Sequence, residues 1–147
     1  MAQVRTANVK WEGNLATGSG VVSASTSGAF SSLPVTWASR AEEANGKTSP
    51  EELLAAAHAA CFSMALSSDL TKAGTPPERL EVTSAVTFDR IDGKATVVSS
   101  KLTVRGRVPG VDEAGFKVLA EGAKAGCPIS RALQNNVALS VEASLDL

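Results

Sequence analysis

The chain has no tyrosine, and its aromatics amount to four phenylalanines and two tryptophans. Bases of single-stranded nucleic acid therefore find no stacking platform. Charge of one sign is also missing: 14 basic and 15 acidic side chains leave a net charge of −1. No basic footprint for a phosphate backbone exists, so no nucleic-acid partner is expected. Residues 1–11, MAQVRTANVKW, lack the apolar core of a signal peptide, which places the protein in the cytoplasm as an expectation. Two cysteines, Cys61 and Cys127, are too few for a disulfide scaffold. In a reducing cytosol such a pair points to metal or redox chemistry rather than to a permanent staple. Internal repeats and low-complexity tracts are absent, and 147 residues are expected to form one domain, 1–147.

What is present centres on Ser49–Gly74, which reads as one long helix with both ends marked. Ser49 suits the N-cap and Pro50 the first helical position, where a missing N–H costs nothing. Glu52, three residues on, completes a capping box with Ser49. Gly74 supplies the left-handed stop, and Pro76 and Pro77 forbid return to helix. From Leu53 to Leu66 the polar side chains are His58, Ser63 and, weakly, Cys61. A helix apolar on all sides is expected to be buried on all sides. The apolar run is shorter than the roughly 20 residues of a membrane span, so no membrane is expected. Either the chain or a dimer of it must wrap this helix, whose centre carries a thiol and the sole histidine.

The remaining elements follow from periodicity. Residues 1–12 alternate weakly, and 21–27 form a β-branched run. The segment 30–37 reads as a short edge strand because of Pro34, and 40–47 as a polar loop. Residues 80–89 alternate with Val82, Val86 and Phe88 on one face. Asp92-Gly93 signals a hairpin into 96–108, with Val98, Leu102 and Val104 inward. Asp112 caps a helix whose apolar positions Phe116, Leu119, Ala120 and Ala123 follow helical spacing. A short helix, 129–135, follows Cys127-Pro128. Strict alternation from Val137 to Leu147 gives the last strand. The order β-β-β-α-β-β-α-α-β, with hairpins and grouped helices, predicts an α+β fold.

Cys127 precedes Pro128 at a helix start, where unpaired N–H groups favour a thiolate. Cys61 lies mid-helix among apolar residues, which raises a thiol pKa; a merely buried cysteine is its plainer interpretation. To react, Cys61 needs a cation from another segment, and Arg40 and Arg131 are candidates. Glu51, in the first turn, is free to hold such a cation or simply to favour the helix dipole. Glu51 and Cys61 are about 15 Å apart along one helix axis at 1.5 Å per residue, so they do not touch within a chain. They meet if two copies of the helix cross antiparallel near Ala56, where Ala55, Ala56 and Ala57 allow close approach. Leu53, Leu54, Phe62, Met64, Phe30 and Trp37 are candidates for an apolar pocket, with ordinary core packing favoured for each taken singly. His58, one turn before Cys61, reads as a hydrogen-bonded core histidine before it reads as a base. Two rival functions are a zinc site built from His58, Cys61 and Cys127 and a non-catalytic dimer that binds an apolar ligand.

The run TSPEELLAAAHAACFSMALS, GCPIS at 126–130 and the tryptophan-flanked Arg40 resemble the OsmC/Ohr family of thiol-dependent peroxidases. WEG at 11–13, VPG at 108–110 and AKAGCP at 123–128 fit as well, and the histidine in HAACF is closer to the OsmC branch. The resemblance implies an intertwined homodimer in which strands from both subunits enclose long central helices. It implies reduction of hydroperoxides, organic ones preferentially, in oxidative or osmotic stress defence. Cys61 is then the peroxidatic residue, oxidised to a sulfenic acid, and Cys127 the resolving residue that forms an intrachain Cys61–Cys127 disulfide. Arg40 stabilises the thiolate and the developing oxygen charge, and Glu51 holds Arg40. The implied reductant is a dithiol, dihydrolipoamide or a lipoylated protein, and neither cofactor nor metal is called for.

Overall fold

A computed structural model describes residues 1–146; the expectation for Leu147 as the last inward residue of the final strand lies outside the described residues. The architecture is α+β, with two three-stranded sheets. The chain divides into two compact units, one of Met1–Leu53 and one from Leu54 onward.

In the first unit β1 (Ala7–Glu12), β2 (Ser19–Ala24) and β3 (Leu33–Val35) form an antiparallel sheet in the order β1-β2-β3. Pro34 does lie on an edge strand, and its carbonyl accepts from the Thr48 N–H at 2.9 Å. The Trp11 indole lies over Gly20, where any Cβ would come within 2.8 Å of the ring. That ring is fixed by its Nε1–H, which donates to the Gly13 carbonyl at 2.9 Å. The segment expected to be strand and then loop instead forms a short helix, α1 (Trp37–Ala41). Its start is a complete capping box: Thr36 Oγ1 accepts from Ser39 N–H, and Ser39 Oγ accepts from Thr36 N–H. Every residue of β1 is exposed on both faces, and Val22 is the one buried large apolar side chain among the unit's described residues.

The long helix α2 (Pro50–Lys72) begins and ends where the sequence marks it. Ser49 Oγ accepts from the Glu52 N–H at 3.1 Å, but the reciprocal half of the expected box is absent because the Glu52 carboxylate accepts from the Thr48 hydroxyl at 2.8 Å instead. At the other end Gly74 has φ +83°, its N–H donates to Thr71 O, and the Thr75 N–H donates to Leu70 O, the paired bonds of a Schellman stop.

The second unit holds β4 (Arg79–Ile91), β5 (Lys94–Arg107), α3 (Glu113–Gly126), α4 (Pro128–Leu133) and β6 (Ala138–Leu145), with strand order β4-β5-β6. Asp92 and Gly93 both take positive φ, so the two-residue turn matches strand twist and closes the β4–β5 hairpin. A bulge opposite Thr87/Phe88 skips Val98, which is why Val98 is only half-buried while Leu102 and Val104 are sealed inside. β6 runs parallel to β5, an arrangement that a hairpin cannot make, and α3 with α4 form the crossover between them.

The core of this unit takes Phe62, Leu66 and Leu70 from α2, Leu102 and Val104 from β5, and Phe116, Ala120 and Ala123 from α3. His58, Phe62, Leu66 and Leu70 recur every four residues and form one fully buried stripe on α2. Within the single chain α2 is therefore buried on one face, and the expectation that the chain or a dimer of it encloses the helix is met by the chain on that face alone. Ala56, Ala57, Ala60 and Met64 are exposed, Met64 by 74 %. By length and composition α2 is also long and apolar enough to cross a bilayer, contrary to the sequence-based expectation. Its packed stripe is that of a core helix. Phe62, expected among pocket-lining residues, belongs to the core because it occupies this stripe, and Met64 points away from it.

Phe116 rests on Gly106 of β5, where a Cβ would meet the ring at 2.7 Å. Phe116→Ala is expected to lower unfolding stability by about 3–5 kcal/mol, read from the shift of a urea denaturation midpoint. A shift below about 1 kcal/mol would show that the ring is not the keystone of this contact.

Candidate active site

Two of the four site residues meet in the first unit. Arg40 is the fourth residue of α1, and the Thr36–Ser39 box sets the angle at which that helix starts. Ser39 Oγ also donates to the Thr48 carbonyl at 2.8 Å, tying α1 to the residue two before α2. The Arg40 guanidinium then reaches Glu51 with Nη2 at 2.8 Å and Nε at 3.1 and 3.2 Å from the two carboxylate oxygens. Glu51 is buried, and Arg40 keeps 29 % of its side chain open. The guanidinium also lies 5.8 Å from the Trp37 ring centroid, within cation–π range. The pairing of Arg40 with Glu51 thus occurs within one chain, and it fixes the guanidinium while leaving part of it accessible. The other cation considered from sequence, Arg131, is exposed on α4.

The other two residues meet in the second unit. Cys61 is half-buried on α2, and Cys127 is fully buried between two helices. Cys127 is at once the last cap of α3 and the first cap of α4. Its N–H donates to Ala123 O at 2.8 Å, and its carbonyl accepts from Arg131 N–H at 2.9 Å. Pro128 starts α4 as expected. Both cysteines are free thiols, and Cys61 packs against the cluster that contains Cys127.

The two thiols titrate as a pair. For Cys61, burial pushes the pKa up, the neighbouring Cys127 thiol pushes it further, and the Ile129 backbone only partly opposes them. For Cys127, burial also acts upward, but it is outweighed by the neighbouring Cys61 thiol and by the polar groups of Ser130 and the Ile129 backbone, so the net shift is downward. The two shifts thus run in opposite directions, Cys61 upward and Cys127 downward. This agrees with the reading of Cys127 as the thiol at a helix start and of Cys61 as the thiol in apolar surroundings.

His58 is fully buried, as a core histidine would be. Its Nδ1 lies 2.6 Å from Ser100 Oγ and its Nε2 2.7 Å from Ser130 Oγ. Burial holds its pKa below the ordinary value, so the ring is neutral. With both nitrogens engaged by hydroxyls, neither is turned toward a metal, and no cluster of three potential metal ligands occurs among the described residues. Ser100, Ser130 and Ser84, which lies 3.0 Å from Ser100, were not singled out by sequence reasoning. The available signal was phase: Ser84 falls on the inward face with Val82 and Val86, and Ser100 on the inward face with Leu102 and Val104.

Residues 43–142 match the family model described as OsmC-like protein. The chain belongs to the OsmC family. It is 40 % identical over 132 residues to peroxiredoxin OsmC of Escherichia coli, covering 90 % of this chain and 91 % of that protein. It is 33 % identical over 91 residues to an organic hydroperoxide resistance protein of Xanthomonas axonopodis, covering 61 % of this chain and 62 % of that one. Among solved structures, the organic hydroperoxide resistance protein OhrB of Bacillus subtilis superposes with a TM-score of 0.75 at 26 % identity, over 95 % of this chain and 98 % of that one. The α+β architecture described above is thus that of OsmC and Ohr proteins.

The coupled pair makes a specific expectation. The reduced chain should show two thiolate titration steps, one below and one above the pKa of free cysteine, by ultraviolet thiolate absorbance. Replacing Cys61 by serine leaves one step. A single two-proton step near the free value would show that the thiols do not share a proton.

Proposed function

We propose that this OsmC-family protein is a thiol peroxidase that reduces hydroperoxides, organic ones preferentially, to alcohols in the cytoplasm. The observation that carries the reading is the nearness of two free thiols held by separate elements: Cys61 on α2 packs against the cluster that buries Cys127, and the two titrate as a coupled pair. The names of the E. coli and Xanthomonas relatives point the same way. Cys61 thiolate attacks the terminal peroxide oxygen. The O–O bond breaks, the alkoxide leaves with a proton as alcohol, and Cys61 becomes a sulfenic acid. Cys127 then attacks that sulfur, the S–O bond breaks, water leaves, and the Cys61–Cys127 disulfide forms. A dithiol reductant, dihydrolipoamide or a lipoylated protein, returns both thiols with two electrons and two protons, so the cycle needs no bound cofactor.

The working form is a homodimer. The exposed face of α2 is made of small residues and Met64, and β1 is uncovered on both sides, so apolar surface is left for a second copy. If two α2 helices cross antiparallel near Ala56, residue 51 of one faces residue 61 of the other. Arg40, held by Glu51, then reaches Cys61 of the second copy. That cation reverses the order of the thiol pair. It draws the thiolate onto Cys61, and it stabilises the charge that develops on the departing oxygen. Neither a nucleic acid nor a membrane has a part in this reading.

Consumption of cumene hydroperoxide in the presence of dihydrolipoamide tests the chemistry. Cys61→Ser is expected to be inactive. Cys127→Ser is expected to trap one sulfenic acid per chain and stop. Glu51→Ala is expected to lose about 10²–10³-fold in turnover by releasing Arg40, the magnitude of one lost electrostatic stabiliser. Wild-type protein that consumes no hydroperoxide and keeps both thiols reduced would sink the proposal. Ala56→Arg, at the proposed crossing, is expected to yield monomers by sedimentation and to lose activity with the dimer. A monomer with full turnover would remove the shared site.

A further inference from the structure

β6 is an edge strand: among the described residues it pairs with β5 alone. One contact shows which of its backbone groups face outward. The Leu145 N–H points away from β5 and donates to Glu113 Oε2 of α3 at 3.0 Å. The next N–H, of Asp146, points back to Gly106 O at 2.8 Å. Backbone groups alternate sides along a strand, so the N–H and carbonyl of Ala143 and Val141 face outward with that of Leu145. They recur about every 6.7 Å, the rise of two strand residues. At Leu145 the Glu113 carboxylate stands where the carbonyl of a neighbouring strand would stand. At Ala143 and Val141 no hydrogen bond among the described residues reaches the outward groups.

These two rungs open into a groove of about 530 Å³ between β6 and α3. Its helix wall is the stripe Glu113, Lys117 and Glu121, and its strand wall is Val141, Glu142 and Ala143. Three carboxylates thus line it against one ammonium. Each carboxylate also meets a lysine, Glu113 with Lys117 at 3.3 Å, Glu121 with Lys124 at 2.9 Å and Glu142 with Lys101 at 2.8 Å. These are surface pairs, worth little, so a guest cation exchanges for them readily, and Lys101 and Lys124 do not line the groove.

We propose that this groove docks an extended basic segment of another protein, which joins the β6 edge as a further strand and sets lysine or arginine side chains against Glu121 and Glu142. An extended backbone offers an N–H and a carbonyl on one side at every second residue, the spacing of Val141 and Ala143, and this is how an open edge takes a peptide. Side chains of the added strand alternate, one set passing along the α3 stripe and the other lying beside Glu142. Glu113 ends the site, because its carboxylate already fills the place of a guest carbonyl at Leu145. A second copy of this chain is the poorer occupant: paired edge to edge about a two-fold axis, it brings the same excess of carboxylates to the same groove. The proposal goes beyond the peroxidase reading and is independent of it, since neither cysteine lines the groove.

Amide hydrogen exchange of the full chain tests it. The probe is a blocked peptide of repeated Lys-Lys-Thr-Thr, which sets lysines on both faces of a strand. Binding is expected to slow exchange at Val141 and Ala143 by about tenfold or more, while Leu145, already bonded to Glu113, changes little. The same peptide with every amide N-methylated keeps its charge, loses its backbone donors and is expected to give no protection. Glu121→Lys combined with Glu142→Lys, both at exposed positions, is expected to weaken binding of the lysine peptide by about tenfold and to favour its Glu-Glu-Thr-Thr counterpart. No protection at about 1 mM lysine peptide would overturn the proposal. Equal protection by the N-methylated peptide would overturn it as well, because that marks attraction of charge without strand addition. So would equal affinity of the doubly reversed variant for the lysine peptide. Protection at Val141 and Ala143 that grows with protein concentration in the absence of peptide would identify a second copy as the occupant and overturn it too.

Discussion

A single polar side chain in an otherwise apolar buried stripe constrains the whole second unit. His58 begins the series continued by Phe62, Leu66 and Leu70, and all four are closed to solvent. Burying apolar groups is favourable wherever they land, but a buried imidazole left unpaired costs about 1–3 kcal/mol. Its two nitrogens must therefore find partners at fixed distance and direction. One partner, Ser100, belongs to β5 and the other, Ser130, to α4. Satisfying both sets the height and rotation of α2 against the sheet, and it brings the start of α4 to Cys61. Apolar packing supplies the driving force, and the histidine selects among the registers that such packing would accept.

The charge of the site is distributed in two lots. Arg40 and Glu51 form a rigid ion pair whose cation keeps an open side. The thiols titrate as a coupled pair, Cys61 shifted upward and Cys127 downward. In the proposed cycle a single chain thus holds its more acidic sulfur in the resolving position and its less acidic sulfur in the attacking one. The proposed dimer removes the paradox by bringing a pre-oriented guanidinium to the less acidic sulfur. Reactivity is then a property of assembly, and a lone chain keeps its attacking thiol in the unreactive protonated form.

Much of this was legible in the residues. Caps at Ser49 and Gly74, the Asp92-Gly93 turn and the alternation of β6 are local signals, and each gave its element. The α1 helix was missed because five residues around Trp37 carry no periodicity, although Thr36 and Ser39 form a box that propensity alone does not reveal. The parallel pairing of β6 with β5 depends on where the crossover returns, which alternation does not encode. Among site residues, both cysteines, Arg40 and Glu51 stood out by type and by family resemblance. The serines did not, since a lone serine on a strand is unremarkable until its phase is compared with that of its apolar neighbours. The bulge at Thr87/Phe88 further obscures that phase in β5 by shifting it at Val98.

Cys127 hangs between the end of one helix and the start of the next, its backbone bonded on both sides and Cys61 packed against the cluster that buries it. In the proposed cycle, closing the disulfide is therefore a first-order event between groups of one chain already near each other. A second peroxide attacking the sulfenic acid is second-order and depends on supply. The ratio of the two sets a concentration ceiling: below it each oxidation is reversible, and above it the sulfur is driven to the sulfinic state and lost. In that cycle, holding the partner thiol close raises the ceiling without any change at the attacking sulfur, so tolerance to a surge of oxidant follows from the junction of two helices.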